Sequence, residues 1–352
     1  MSRSRRRTAQ VAAYWAAASY LAFTFAMVAN VVAIHPELRD QEYGRRLGAL
    51  RTRVAENSGR PLVVAIGSSR AAMDICPQAW EEVRHGTPSD PLLFNMSRVG
   101  AGPLLNLMTL RRLYADGIRP TAVLLEYWPP LLREAGPFRE VDRIAPENLY
   151  ACDRAFIRDY LPNAERVERR MLGVRLNPLF ENRALWVREI VPSWLPRTQR
   201  IDGAVHPLDD WGWLPGMDRP ALAWESRDSR LARCERIYRP HLAGLRIDPD
   251  ADRAIHAAVA LAREHGSAVG FVYLPESTEF RAWYTPESEQ LGQAYAVALQ
   301  SELGVPLLDA RTWLPDESLA DGFHATRAGA QEFTHRFGPA VADFVRIGHM
   351  AK

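Results

Sequence analysis

The stretch PLVVAIGSSR, residues 61 to 70, decides the fold. Its apolar, β-prone run (Leu62, Val63, Val64, Ala65, Ile66) stops at Gly67, and two serines follow where the chain must turn toward a helix. This reads as a strand that delivers a hydroxyl to the carboxyl edge of a sheet, the edge at which open α/β sheets bind ligands. A serine there is a candidate nucleophile, although Gly-Ser-Ser after a strand also serves as a capped turn. The stretch DGFHATRAGA, residues 321 to 330, bears on that choice from the other end of the chain. Asp321 lies three residues before His324, ahead of a helix whose expected cap is Thr326. Acyl transfer through serine needs a hydroxyl, an imidazole to take its proton and a carboxylate to fix the imidazole's tautomer. A carboxylate three positions away on a tight loop can reach Nδ1 of the same ring, leaving Nε2 for the serine. The plainer reading makes Ser69 a helix cap, Asp321 a loop acid and His324 a core histidine bonded to a carbonyl. Asp309, at the end of another strand, is a rival acid that reads better as a turn residue.

Outward from residue 61, strand and helix alternate. LLFNM at 92–96 is a second strand, SRVGAGP a glycine-bearing loop, residues 104–114 a helix and TAVLLEYW at 121–128 a third strand closed by Pro129 and Pro130. The alternation is lost over 131–250, which carries many prolines and the tryptophans Trp186, Trp194, Trp211, Trp213 and Trp224. So long a structureless loop is foreign to a compact domain, and the stretch reads as a mostly helical insertion packed over the sheet edge. Its aromatic residues either fill a small core, the reading preferred on general grounds, or line a sugar-binding surface. Alternation resumes with a helix at 251–265, a strand at 268–275, a helix at 287–303, a strand at 305–310 and a final helix from Thr326 through Phe344. The expected class is α/β, a parallel sheet with helices on both faces.

The chain has 352 residues, 47% apolar and 24% charged, a balance that excludes global disorder. Of its 44 basic residues only Lys352 is a lysine, a bias that reads as genomic composition. Arg3, Arg5, Arg6 and Arg7 contribute +4 to a net charge of +2, so the rest of the chain carries −2 and no nucleic-acid-binding face is expected. Residues 11–34 carry no charge, and as a helix they span about 36 Å, enough for a hydrocarbon core of about 30 Å. Arginines before this run favour residues 1–10 as a cytoplasmic tail, 11–34 as an uncleaved anchor and everything from about residue 36 outside the membrane. The competing cleaved signal peptide fits less well, because the run is too long and lacks a small-x-small site before His35 and Pro36. Residues 35–60 then form a juxtamembrane helix. Cys76, Cys152 and Cys234 show no metal-ligand spacing. One pair can form a disulfide in an exported domain, and Cys152 and Cys234 share the insertion, but spacing leaves the pairing open. No metal or organic cofactor is expected, since neither H-E-x-x-H nor a glycine-rich phosphate loop is present, and no G-x-S-x-G elbow points to an α/β-hydrolase.

Taken together, these blocks resemble the SGNH (GDSL-type) hydrolase superfamily, and within it the membrane-anchored branch of DltD-like and alginate O-acetylation proteins. The nucleophile block is matched by Gly67, Ser68 and Ser69, with Ser68 where aspartate is usual; the Asn-x-Ser-x-x-Gly block by Asn95, Ser97 and Gly100; the Asp-x-x-His block by Asp321 and His324. The resemblance implies a three-layer αβα, flavodoxin-like fold built from 61–130 and 251–346, a catalytic set of Ser69, His324 and Asp321, and an oxyanion or substrate-binding set of Gly100, Asn95 and Ser97. The family's Gly-x-Asn-Asp block is missing, because the corresponding strand ends in Glu126, Tyr127 and Trp128. The usual asparagine donor is therefore unassigned.

The expected activity is that of a serine esterase or O-acyltransferase in the cytoplasmic membrane, its C-terminal domain on the periplasmic side. Its expected partners are the lipid bilayer, an envelope carbohydrate or acyl-ester substrate and a multi-spanning membrane-bound O-acyltransferase. The alternative is a catalytically silent polysaccharide-binding or assembly factor that keeps the fold and uses its aromatic insertion.

Overall fold

The computed structural model describes residues 3–29, 40–84, 86–87, 90–133, 140–176, 187, 191–194, 208–216 and 225–350. The chain divides into two compact units, 1–45 with 144–205, and 46–143 with 206–352. Residues 131–143 and 206–250 of the expected insertion therefore group with the sheet, and only its middle belongs with the N-terminal helix.

In the first unit the helix Arg3–Ala29 contains the stretch Arg5–Ala29, long and apolar enough to cross a membrane, with mean hydropathy 1.5. Its apolar side chains, among them Tyr14, Trp15 and Phe25, lie exposed. Residues 30–34 of the expected span, with His35 and Pro36, lie outside the described residues. Two further helices, Arg154–Tyr160 and Ala164–Leu176, pack on each other and bury Phe156, Ile157 and Met171.

The second unit is an α/β domain on an all-parallel five-stranded sheet. The strands are β1 (Leu62–Ile66), β2 (Leu92–Asn95), β3 (Ala122–Glu126), β4 (Ala268–Tyr273) and β5 (Leu307–Asp309), in the order β2-β1-β3-β4-β5. Buried on both faces, β1 reads as a continuous apolar run rather than an alternating one. Val63 and Ala65 join the layer formed by the helices Ser69–Asp74, Pro77–Val83 and Arg327–Met350, where Trp80, Phe333 and Phe337 fill the core. On the other side the helices Pro103–Ala115 and Pro249–Glu264 pack on each other. The strand order reverses direction at β1, whose neighbours are β2 and β3, and such a switch point opens a crevice at the carboxyl ends of the strands.

Parts of the former insertion serve this domain. Buried Glu140 accepts from the amides of Gly102, Leu104 and Leu105, satisfying the free end of the helix Pro103–Ala115. Burial nevertheless holds its carboxyl up to about 7. Residues 208–214 close over β2: the Trp211 carbonyl accepts from the Asn95 amide at 3.1 Å, and Trp213 Nε1 donates to the Met73 carbonyl at 2.6 Å. Trp213 is therefore core, and Trp211 lies under the Arg53 guanidinium at 4.8 Å. Trp194 is exposed in the first unit, while Trp186 and Trp224 lie outside the described residues. Cys152 is exposed in the first unit, and Cys76 and Cys234 are buried in the second.

Candidate active site

In the turn after β1 the two serines take different places. Ser68 adopts extended backbone, and its Oγ accepts from the Arg70 amide at 3.1 Å, capping the helix Ser69–Asp74. Ser69, the first helical residue, is thereby released from the capping role and turns its hydroxyl outward, half-buried. The close approach at Gly67 is obligatory: a Cβ there would lie 2.6 Å from Glu126 Oε2 and 2.7 Å from Ala71 Cβ.

The histidine arrives on a loop that folds on itself. Asp321 Oδ1 accepts from the amides of Phe323 at 3.3 Å and His324 at 3.0 Å, a local turn that sequence spacing alone suggested. Gly322 takes φ +100°, a conformation only glycine adopts freely, and its carbonyl accepts from the Ser277 amide. Phe323 plugs into an aromatic cluster, 5.4 Å from Trp128 and 5.0 Å from Tyr238 and Phe280 between ring centroids. Behind the loop, buried Asp74 accepts from the Ala325 amide at 2.8 Å. Thr326 Oγ1 accepts from the Gly329 amide, as expected of the cap of the last helix.

These two loops meet. Asp321 Oδ2 lies 2.8 Å from His324 Nδ1, and His324 Nε2 lies 2.8 Å from Ser69 Oγ. A carboxylate only accepts, so Nδ1 carries the proton and Nε2 is left to accept from the Ser69 hydroxyl. His324 retains 12% side-chain exposure while Asp321 is 4% exposed, so the row opens to solvent at its serine end. Burial is the largest influence on His324 and depresses its pKa, but the charge and hydrogen bond of Asp321 prevail and the net direction is upward. For Asp321, burial again acts most strongly, raising its pKa, and is outweighed by His324 and the two amides so that the carboxyl is held low. Asp309, the rival acid, is exposed and accepts from the Arg311 amide, a turn role.

The second expected set divides. Asn95 is fully buried: its Nδ2 donates to the carbonyls of Ala71 at 2.7 Å and Ile75 at 2.8 Å, and its Oδ1 accepts from the Ser97 amide. Ser97 is also fully buried. Asn95 thus braces the end of β2 to the helix Ser69–Asp74, while Ser97 Oγ lies 3.5 Å from the Ala65 carbonyl of β1. Gly100 stands apart at φ +72°, with the exposed Arg143 guanidinium in the place its Cβ would take. Sequence reading missed Glu126, Arg70, Asp74 and Arg143 around the site. A cavity of about 950 Å³ at the amino ends of β4 and β5, lined by Val269, Leu308, Phe337 and Phe344, contains none of the site residues. Among the described residues no cluster of His, Cys, Asp and Glu is arranged to hold a metal ion.

No protein-family model matches this chain, and no curated protein sequence matches it.

Proposed function

We propose that the second unit is an SGNH-like serine acyl-transfer enzyme. The observation that carries this reading is the unbroken row Asp321, His324, Ser69, with 2.8 Å at both junctions. The sheet order 2-1-3-4-5, which is that of flavodoxin-like folds, supports the SGNH assignment, as does the position of each block after a strand or before a helix. Ser69 Oγ attacks an ester carbonyl while its proton passes to His324 Nε2; Asp321 stabilises the imidazolium that results. The resemblance implies the Gly100 amide as a donor to the oxygen that becomes negative. Collapse breaks the ester C–O bond, the leaving alcohol takes the proton from His324, and the acyl group stays on Ser69. An incoming hydroxyl, deprotonated by His324, then accepts the acyl group and frees the serine. Water as acceptor makes the protein an esterase; a sugar hydroxyl makes it an O-acyltransferase.

The apolar N-terminal helix, with arginines before it, supports a single-pass anchor in the cytoplasmic membrane and a periplasmic C-terminal domain. That address supports an envelope polysaccharide as acceptor or donor, with a multi-spanning O-acyltransferase supplying acyl groups. The test is labelling of the detergent-solubilised full chain with a fluorophosphonate. The wild type is expected to label, with the adduct mapped to Ser69, and Ser69→Ala to remain unlabelled. Equal labelling of both overturns the reading.

A further inference from the structure

The position left unassigned by the missing asparagine block does not face the reacting atoms. β3 pairs with β1 so that Leu125 lies opposite Ile66, which puts Glu126 beside Gly67, one step further along both strands. There its Oε2 accepts from the Ser68 amide at 2.5 Å, and its side chain is 1% exposed. The glycine at 67 is what lets the carboxylate come this close.

Glu126 is held in turn by the residue that follows the nucleophile. Arg70 is fully buried, its guanidinium 4.4 Å from the Trp128 ring centroid, with Nη2 donating to the carbonyls of Leu274 at 2.8 Å and Pro275 at 2.9 Å. Its Nη1 lies 3.7 Å from Glu126 Oε1 and 3.9 Å from Glu276 Oε1. Glu276 is anchored by Trp128 Nε1 at 2.8 Å and by Arg311 Nε at 3.1 Å, and Arg311 grips Glu289 with two nitrogens. A run of alternating charge thus passes beneath the catalytic turn.

This network is a poor way to stabilise a fold. Arg70 Nε and Nη1 and Glu126 Oε1 are buried without a hydrogen-bond partner. Buried ion pairs are often improved upon by apolar residues, because desolvation rivals attraction. Glu126 does, however, fix the one amide between the glycine turn and the nucleophile.

We propose that Glu126 is a positioning residue for Ser69: its carboxylate oxygen pins the Ser68 amide, and the turn so fixed aims the hydroxyl at His324. The proposal rests on the reading of Ser69 as nucleophile, and the experiment separates the two. Ser69→Ala against wild type, as above, tests that reading. Glu126→Leu, close in volume, removes the acceptor; Glu126→Gln keeps an oxygen for the Ser68 amide, removes the charge and sets its amide nitrogen beside Arg70.

Folding of each full-chain variant is checked by circular dichroism and thermal unfolding. Folded Glu126→Leu is expected to lose about 10- to 100-fold in fluorophosphonate labelling rate and kcat with KM nearly unchanged. Its crystal structure is expected to show Ser69 Oγ beyond about 3.5 Å from His324 Nε2. Glu126→Gln is expected to recover the rate to within about threefold of wild type, on the same grounds. A wild-type rate in folded Glu126→Leu, or an unchanged Ser69–His324 distance in its structure, overturns the proposal. If Glu126→Leu does not fold, Glu126→Gln decides: a loss above about 10-fold in the folded amide variant overturns the pinning of the Ser68 amide as the cause.

Discussion

His324 Nε2 lies 2.8 Å from Ser69 Oγ, although 255 positions separate the two residues in the chain. A contact of that span has no local cause. It exists because β1 occupies the interior of the sheet and the last βα connection returns to the same carboxyl edge, so the chemistry of the site depends on the topology.

The pH dependence of that contact follows from the charge on the ring. A protonated His324 cannot take the serine proton, so kcat/KM should fall as pH drops through the ring's pKa, which Asp321 holds above the ordinary 6.5. Asp321→Asn removes the charge that outweighs burial. It should move this acid limb below 6.5 and cost on the order of 10⁴-fold in kcat through loss of the correct tautomer. A pH–rate profile of hydrolysis of a small acetyl ester by both proteins checks this; an unchanged acid limb in Asp321→Asn refutes it.

Asp74 should set a second pH dependence, this time in stability. Burial is the main cause that lifts its carboxyl from 3.8 to about 7, against the Ala325 amide and the charges of Arg70 and His324. A folded-state pKa raised above the unfolded one contributes stability that is present near pH 4 and is lost as pH rises through about 7. The gap corresponds to a free energy on the order of 4 kcal/mol. Asp74→Asn, which keeps an acceptor for Ala325, should therefore be more stable than wild type at pH 8, with the advantage shrinking toward pH 5. Thermal unfolding of both proteins at the two pH values measures it, and parallel curves for the two would count against it.

The boundaries of most elements were legible because their causes are local. Pro103, Pro249 and Pro286 open helices at their first turn, apolar runs end at glycine or proline, and the strand and helix ranges lie within a few residues of those expected. Ser69, His324 and Asp321 were legible for the same reason, since each sits beside a turn whose residues mark it. The charged residues beneath the site were not. Glu126 meets a partner 58 positions away and Arg70 carbonyls 204 and 205 positions away, and in an arginine-rich chain no single arginine stands out. The burial of Asn95 and Ser97 was not legible either: their spacing does not show that the Asn95 side chain bonds to Ala71, Ile75 and the Ser97 amide inside the fold.

Gly100 should tolerate no side chain. Its φ of +72° disfavours an L-residue, and a Cβ would displace the Arg143 guanidinium. Gly100→Ala should lower kcat/KM at least about 10-fold while the far-ultraviolet circular dichroism is retained, and Arg143→Ala should recover part of the loss in the double variant by making room. Full activity in Gly100→Ala would remove this loop from the site.

The thiols give an independent check on the fold. Cys152 is exposed, whereas Cys76 and Cys234 are buried, and burial raises both of the latter thiol pKa values, that of Cys76 to about 11. A thiol reagent at neutral pH should modify Cys152 alone in the native protein and all three cysteines after unfolding, without prior reduction. A requirement for reductant would mean that two of them are paired.

A covalent acyl-serine is the intermediate on which the proposed chemistry depends. Full-chain protein mixed with a small acetyl ester, quenched in acid and analysed by peptide mass spectrometry should carry one acetyl group on Ser69 in the wild type and none in His324→Ala. Acetyl found on another residue at the wild-type rate, or undiminished on Ser69 in His324→Ala, would contradict the assignment of Ser69, His324 and Asp321 as one catalytic unit.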